Sequence, residues 1–307
     1  MRSLYRKILH CQWPAPRPPA ARQIGTAGGT KGGTTMAPPP LPQFTVQNNF
    51  DIPVYISLLS NPTAKVYVNA GQSGSLTYFE DDLCIVQAAQ TGSFMCGLII
   101  EADVLSATVD YTLLVDPNDI GAPPVPTAAM LIPPDSPRIL VGCSQLADGK
   151  TVLREQFWDR QPDSLTLAPG EQKTITTTVT TGRQETSTHE STLAASLNMS
   201  ASAGFGPFSA SVSSSLSMTS RTFQQVTVSE QNTAYFSDVL TNPYTDQPCL
   251  VLRWQLTDVI TIFDVDGPPL GAMILGEAPI ITNMYGVNDL ALQKPVLELT
   301  AEDRLPA

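Results

Sequence analysis

Residues that could carry acid–base or metal chemistry are few in this sequence. The only histidines, His10 and His189, are far apart along the chain, so neither a catalytic triad nor a histidine-based metal site is predicted. His189 stands beside Glu190, which indicates either a solvated pair or a pH trigger. The acidic clusters 80–82 and 264–266 have the residue types of calcium ligands, but the second lacks EF-hand spacing, and solvated turns are the simpler interpretation. We therefore predict no cofactor, no metal and no enzymatic activity.

The five cysteines lack the paired spacing of zinc sites. They are Cys11, Cys84, Cys96, Cys143 and Cys249. Two interpretations stay open: buried reduced thiols, or a disulfide between Cys84 and Cys96, which lie in neighbouring strand-like runs.

Charge excludes one class of partner and sets the N-terminal segment apart. The chain of 307 residues has a net charge of −11, although residues 1–35 contain six Lys or Arg and no acid. The remainder is strongly acidic, so nucleic-acid binding by the folded part is not expected. Residues 1–40 are rich in Pro and Gly and are predicted to be a disordered or removable arm. No clear signal peptide and no apolar run of about 18 residues is present, which leaves strands as the only means of membrane insertion.

Short runs rich in Val, Ile and Thr, separated by Asn, Pro, Gly or Asp, predict an all-β protein. Strand-sized runs extend from Phe44 to Val115, among them FTVQNNF, PVYISLL, LCIVQA and ATVDYTLLV, and RILVGCSQL follows a Pro-rich crossover at 121–137. We therefore predict an N-terminal β domain over 41–155, which would bind a receptor. A second module would follow over 156–266. A C-terminal tail over 267–307 could be a removable cover.

The second module contains a segment in which polar and apolar residues alternate. Between Thr174 and Thr222 almost half of the residues are Ser or Thr, and there is no Lys or Asp. One predicted face is apolar: Leu193, Ala195, Leu197, Met199, Ala201, Ala203, Ala210, Val212, Leu216 and Met218. The other is polar: Ser196, Asn198, Ser200, Ser202, Ser209, Ser211, Ser213, Ser215 and Ser217. A strand pair that buries one face explains this alternation, and a helix is disfavoured by the β-branched TITTTVTT just upstream.

The two faces limit the register of a hairpin over 186–226. Opposed residues of an antiparallel pair share a face, so odd positions on the first strand must meet even positions on the second. A four-residue tip, Phe205-Gly206-Pro207-Phe208, satisfies this and places Gly204 opposite Ser209 and Leu197 opposite Leu216. Residues 193–203 are long enough for a tilted strand to cross a bilayer. In a shared barrel the apolar row would face lipid, and the hydroxyl row would line the pore together with Glu190 and Arg221.

The order of these segments resembles the pore-forming module of the aerolysin and epsilon-toxin group. A Ser/Thr-rich strand (SLTLAPGEQKTITTTVTTG) is followed by an amphipathic hairpin with an aromatic tip, and then by a returning strand (RTFQQVTVSEQNTAYFSDVL). The resemblance covers roughly residues 155–265. It implies an elongated all-β monomer, receptor binding at one end, assembly into a ring, and unfolding of the hairpin into a barrel.

These expectations combine into a pore-forming toxin. A single hairpin would leave its edges unpaired in lipid, so a homo-oligomeric ring is required. The predicted partners are a target-cell membrane with an unknown receptor and further copies of the chain, and the predicted location is secreted or released and then membrane-bound. Two alternatives stay open: a lectin-like or adhesive β-protein whose Ser/Thr-rich sheet is only structural, and a β-rich hydrolase, which the scarcity of histidine disfavours.

Overall fold

A computed structural model describes residues 42–78, 82–101, 104–127, 130–146, 148–184, 232–265, 267–276 and 280–292. Across these ranges the protein is mostly β, which confirms the predicted class at that level. The strands are β1 Gln43–Asn48, β2 Val54–Leu58, β3 Asn61–Val68, β4 Ser73–Thr77, β5 Leu83–Ala88, β6 Phe94–Ile99, β7 Ser106–Val109, β8 Ile139–Gln145, β9 Thr151–Arg160, β10 Leu165–Leu167, β11 Gln172–Gln184, β12 Asn232–Thr241, β13 Cys249–Phe263, β14 Pro269–Gly276 and β15 Ile281–Gly286; helix α1 is Val287–Leu292.

The strands form a small sheet and a large mixed sheet. The small sheet has the order β4-β1-β7. The large sheet follows the path β12-β11-β14-β13-β9-β8-β6-β5-β2-β3, and β10 and β15 both pair with β13. Most neighbours are antiparallel, whereas β1 with β7 and β6 with β8 are parallel.

The N-terminal strands enclose the larger hydrophobic core. Phe44 and Val46 of the small sheet pack with Val54, Ile56 and Val86 of the large sheet. Strand β1 alternates between buried and more exposed residues, as a strand with one face in a core does. Strand β2 is buried at four of its five residues. The two sheets therefore pack face to face.

Strand β13 is the central strand of the second half of the molecule. Its residues 254–263 pair with β9, and its residues 257–263 pair with β14 on the opposite edge. Its first residues pair with β10 and β15. Residues 269–286 of the predicted C-terminal tail therefore supply two strands of the large sheet, and β9 runs across the predicted domain boundary at residue 155.

One predicted strand is shorter than its sequence run. ATVDYTLLV yields only β7, because the Asp110 side chain accepts a hydrogen bond from the Thr112 backbone N–H at 2.9 Å and starts a 3-10 turn over Tyr111–Leu113. Aspartate competes in this way with ladder hydrogen bonds. The Pro-rich run 121–137 carries no strand among its described residues, as predicted for a crossover.

Candidate functional site

All predicted pore-lining, lipid-facing and tip residues lie between Glu190 and Arg221, outside the described residues. The structure does describe the two strands that lead into and out of this segment. Strand β11 runs to Gln184 and strand β12 begins at Asn232. We call the pair β11–β12 over 172–181 and 232–241 the ribbon.

The ribbon has a single unbroken antiparallel register. Gln172 lies opposite Thr241, and every step along β11 is matched by one step back along β12, down to Thr181 opposite Asn232. In every pair an even-numbered residue lies opposite an odd-numbered one. The polar–apolar alternation predicted for 193–218 requires the same odd–even pairing.

The two faces of the ribbon differ in exposure and polarity. On β11 the inward residues are Ile175, Thr177 and Val179, whereas the threonines between them are exposed. The outer face carries a row of hydroxyl and mixed side chains: Thr174, Thr176, Thr178, Thr180, Thr233, Tyr235, Ser237 and Val239. The inward positions of β11 are odd and the hydroxyl row is even, which is the parity of the apolar and polar rows predicted for the hairpin.

The inner face of the ribbon lies on β13, and ion pairs hold one part of it. The guanidinium of Arg253 is buried, with a side chain 4% exposed, and it pairs with Asp238 of β12 at 3.4 Å. It also pairs closely with Asp163, from the loop between β9 and β10. Further along β13, the side-chain amide of Gln255 donates to the Thr180 carbonyl of β11 at 2.8 Å.

An apolar cluster holds the other end of the ribbon. Leu240 of β12 is buried with Leu167, Cys249 and Val251, and Ile175 of β11 packs against this group. The contact between ribbon and body is therefore apolar near Leu240 and polar around Arg253 and Gln255. Sequence reasoning missed this contact, although a visible signal was present: Arg253 and Asp258 interrupt an otherwise mostly apolar strand, CLVLRWQLTDVITIF.

Gly182 marks the point where the ribbon joins the large sheet. Its φ is +75°, in the left-handed region that favours glycine. Before it, β11 lies across β13 through side chains; after it, residues 182–184 pair in the plane of the sheet with β14, where Gly182 is opposite Gly276. The strand must therefore turn at this residue from a covering layer into the sheet.

The residues considered for other chemistry form no reactive centre where the structure describes them. Both histidines lie outside the described ranges, and within those ranges no three His, Cys, Asp or Glu side chains cluster as metal ligands. Of the first acidic cluster, Asp82 accepts hydrogen bonds from the Ser60 side chain and from the Leu83 backbone, as a turn residue does. The described part of the chain also has no helix with the length and apolarity to cross a membrane.

The four described cysteines are buried free thiols. The alternative disulfide between Cys84 and Cys96 is not formed, because the register sets Cys84 opposite Leu98 and Cys96 opposite Val86. Burial raises the pKa of the Cys84 thiol from 9.0 to about 12, and the neighbouring Asp82 adds to the rise. Burial likewise raises the pKa of Cys143 to about 12, so neither thiol is a nucleophile near neutral pH.

No protein-family model and no curated protein sequence matches the chain. A solved structure shows a distant similarity to the chain. It is that of Cry35Ab1, an aerolysin-like β-pore-forming toxin, with a TM-score of 0.37 and 10% sequence identity over 75% of this chain and 67% of that chain. A TM-score of 0.37 records a distant likeness only and decides neither family nor function.

Proposed function

We propose that this protein is a non-enzymatic pore-forming toxin. Several copies assemble on a target membrane, and each contributes one hairpin over 186–226 to a shared β-barrel. The observation that carries the proposal is the register of the ribbon. Over residues 172–181 and 232–241 it pairs each even position with an odd one, and the separate alternation of 193–218 requires the same kind of pairing. Continued residue by residue, it would set Thr192 against Arg221 and Gly204 against Ser209.

This agreement is informative because the side chains of a strand point alternately to its two faces. A shift by one position moves every side chain of a strand to the opposite face. If the hydroxyl and apolar rows of 193–218 belonged to an unrelated loop, their parity would match that of the ribbon only by chance. A ladder that continued from the ribbon into the hairpin would give both the same two faces.

The chemistry of the rows supports a barrel with a water-filled interior. Small neutral hydroxyls suit a wet lumen, and the apolar row suits lipid. The ends of the hairpin carry Glu190 and Arg221, and its tip carries Phe205 and Phe208, which would cross the membrane first and anchor in the far interface.

A lectin-like or adhesive protein is the second candidate, favoured by one surface feature. Tyr55 and Tyr67 lie on neighbouring strands and meet edge to face, with their ring centroids 5.5 Å apart. Tyr67 is half exposed, and the Lys65 ammonium lies 5.7 Å from the centroid of the Tyr55 ring. Exposed tyrosines that combine a flat apolar face with a hydroxyl are common in binding surfaces. In the leading proposal this patch is a candidate receptor contact on the N-terminal β domain.

Release of a trapped dye from lipid vesicles tests the proposal, with two matched variants. Met199→Arg puts a charge on the predicted lipid face at mid-span, which costs about 2–4 kcal/mol per subunit, and is expected to abolish release. Asn198→Arg puts the same charge on the lumen face and is expected to retain it. Equal release by both variants contradicts the assigned faces. Glycan binding by a wild-type protein that releases no dye from any vesicle favours the adhesive candidate.

A further inference from the structure

We infer that Arg253 is a latch with one permanent and one exchangeable partner, and that the exchangeable contact holds the ribbon on the body. Asp163 is the permanent partner, because it belongs to the same body as β13. Asp238 is the exchangeable partner, because it belongs to the ribbon. The latch is a property of the fold, and only its use in releasing the ribbon rests on the proposed function.

The surroundings of the arginine distinguish the two carboxylates. Arg253 lies in β13 opposite Thr282 of β15, and Asp163 lies three residues after the end of β9. The side chain of Asp163 is 30% exposed and that of Asp238 is 48% exposed. Asp238 also makes the longer contact, at 3.4 Å. Asp163 on the body therefore orients the guanidinium of Arg253, and Asp238 on the ribbon makes the weaker contact with it.

This arrangement lowers the cost of separating the ribbon from the body. A buried arginine that loses its only counter-charge is strongly disfavoured. Here the guanidinium keeps Asp163 when Asp238 moves away, and the half-exposed Asp238 regains water. The ion pair with Asp238 is thus in the weak, solvent-screened class. The same Asp→Asn substitution at Asp163 and at Asp238 is therefore expected to affect stability differently.

The other polar contacts of the interface are also separable. Gln255 donates to a backbone carbonyl of β11, which becomes free to pair elsewhere when the ribbon leaves. Among the described residues, the hydroxyls of Thr177 on the ribbon and Thr257 on β13 are buried and have no hydrogen-bond partner. Such groups gain hydrogen bonds with water when the layers part, so they oppose tight docking.

Hydrogen exchange of the full-length soluble protein, read by mass spectrometry, tests the latch without any membrane. Asp238→Asn is expected to speed exchange in 172–181 and 232–241 about twofold to fivefold, the range for a weak ion pair, with an unchanged Tm. Asp163→Asn is expected to lower the Tm and to speed exchange in β13 as well. Ser237→Ala, next to Asp238 but on the outer face, is the matched control and is expected to change neither.

Two results would overturn the latch: unchanged exchange of the ribbon in Asp238→Asn, or indistinguishable behaviour of the two aspartate variants. Dye release then separates the latch from the proposed function. Faster release by Asp238→Asn than by wild type supports both. If exchange is faster in Asp238→Asn but neither protein releases dye from any vesicle, the latch is retained and the pore is rejected. If wild type releases dye but exchange is unchanged in Asp238→Asn, only the latch is rejected.

Discussion

Arg154 and Asp258 meet in the middle of the large sheet, where neither charge reaches water. Their side chains are 3% and 4% exposed, and Nη2 lies 2.7 Å from Oδ2 while Nε lies 3.0 Å from Oδ1. The two-bond geometry offsets the cost of removing both charges from water. Nearby, Glu155 is fully buried and accepts a hydrogen bond from Ser93 while pairing with Arg138 at 3.4 Å. These pairs fix β9 against β13 and the N-terminal strands, in contrast to the exchangeable pair at Asp238.

Asp258→Asn removes the counter-charge of a buried guanidinium, so we expect it to lower the free energy of unfolding by about 3–5 kcal/mol. Urea denaturation at neutral pH measures this. Asp148→Asn is the control, because Asp148 pairs with Lys150 on an exposed loop and its loss is expected to leave the midpoint unchanged. A loss below about 1 kcal/mol for Asp258→Asn would show that the pair is not the strong tie described here.

The buried cysteines give the protein a stability that declines in alkaline solution. Folding raises the pKa of Cys84 and Cys143 from 9.0 to about 12, so the unfolded chain releases these protons at lower pH than the folded one. The stabilisation is complete below pH 9 and is lost as the pH rises towards 12. We expect the urea midpoint of the wild-type protein to fall as the pH is raised from 9 to 11. The midpoint of Cys84→Ala, compared with its own value at pH 7, is expected to fall less. Equal slopes for both proteins would contradict the assignment.

At the scale of the elements, the ribbon is built differently from the strands around it. Strand β13 is buried along nearly its whole length, whereas most residues of β12 are exposed. The exposed residues of β12 include the large side chains of Tyr235, Phe236 and Val239, and Tyr235 is 77% exposed. A layer that buries only one face, and part of that face through polar contacts, is less stable locally than the sheet beneath it. The ribbon is thus the element best suited to leave the body.

Gly182 is the residue on which the turn of β11 depends. An L side chain in the left-handed region costs about 1–2 kcal/mol, and a β-branched one is least tolerated. We expect Gly182→Val to lower the Tm of the soluble protein and to speed hydrogen exchange in the ribbon. Gly182→Asn is the matched comparison and is expected to lose less, because asparagine adopts this conformation more readily. Equal losses for Asn and Val would indicate packing against Gly276, not backbone conformation, as the cause.

Local sequence pattern predicted most strands of the N-terminal half, because a strand depends on neighbours along the chain. The parity of the hairpin stays a prediction, since those residues lie outside the described ranges. It missed the end of ATVDYTLLV, where one aspartate side chain competes with the ladder. The order of strands and the contact of Arg253 with Asp163 and Asp238 were out of reach, since they join residues far apart in sequence. Arg253 and Asp258 could have been marked as buried charges from their apolar surroundings, but not their partners.

At the scale of the whole molecule, the account requires two arrangements of the same chain. In one, the ribbon lies on β13; in the other, it continues into the hairpin as one ladder closed by neighbouring copies. The body need not change, because Asp163 keeps Arg253 paired. Residues 269–286 belong to the body sheet, so removal of the whole segment 267–307 would unpair β13 along one edge.

The pore in this account has a neutral wall and charged ends. Ser and Asn line the span, so ion selectivity depends on the end charges. If the register of the ribbon continues into the hairpin, Arg221 would lie opposite Thr192, two residues from Glu190 in the same row. We expect Arg221→Ser to make planar-bilayer channels more cation-selective and Glu190→Gln to shift them towards anions, with both effects reduced by salt. Reversal potentials unchanged in both variants, in a dilute salt gradient, would refute the register at this end.

The central claim is that the register of the ribbon continues through the membrane-spanning hairpin, and a scan of single cysteines tests it most directly. A polarity-sensitive fluorophore is attached in turn at each position from Ser196 to Ser202 and from Ser209 to Ser215, and its emission is read in membrane-bound protein. The account predicts alternation with a period of two, with odd positions in lipid on the first strand and even positions on the second. In particular, Ala201 and Val212 would report lipid, while Ser200 and Ser211 would report water and react with a soluble thiol reagent. Emission without alternation, or alternation with the same parity on both strands, would contradict the claim.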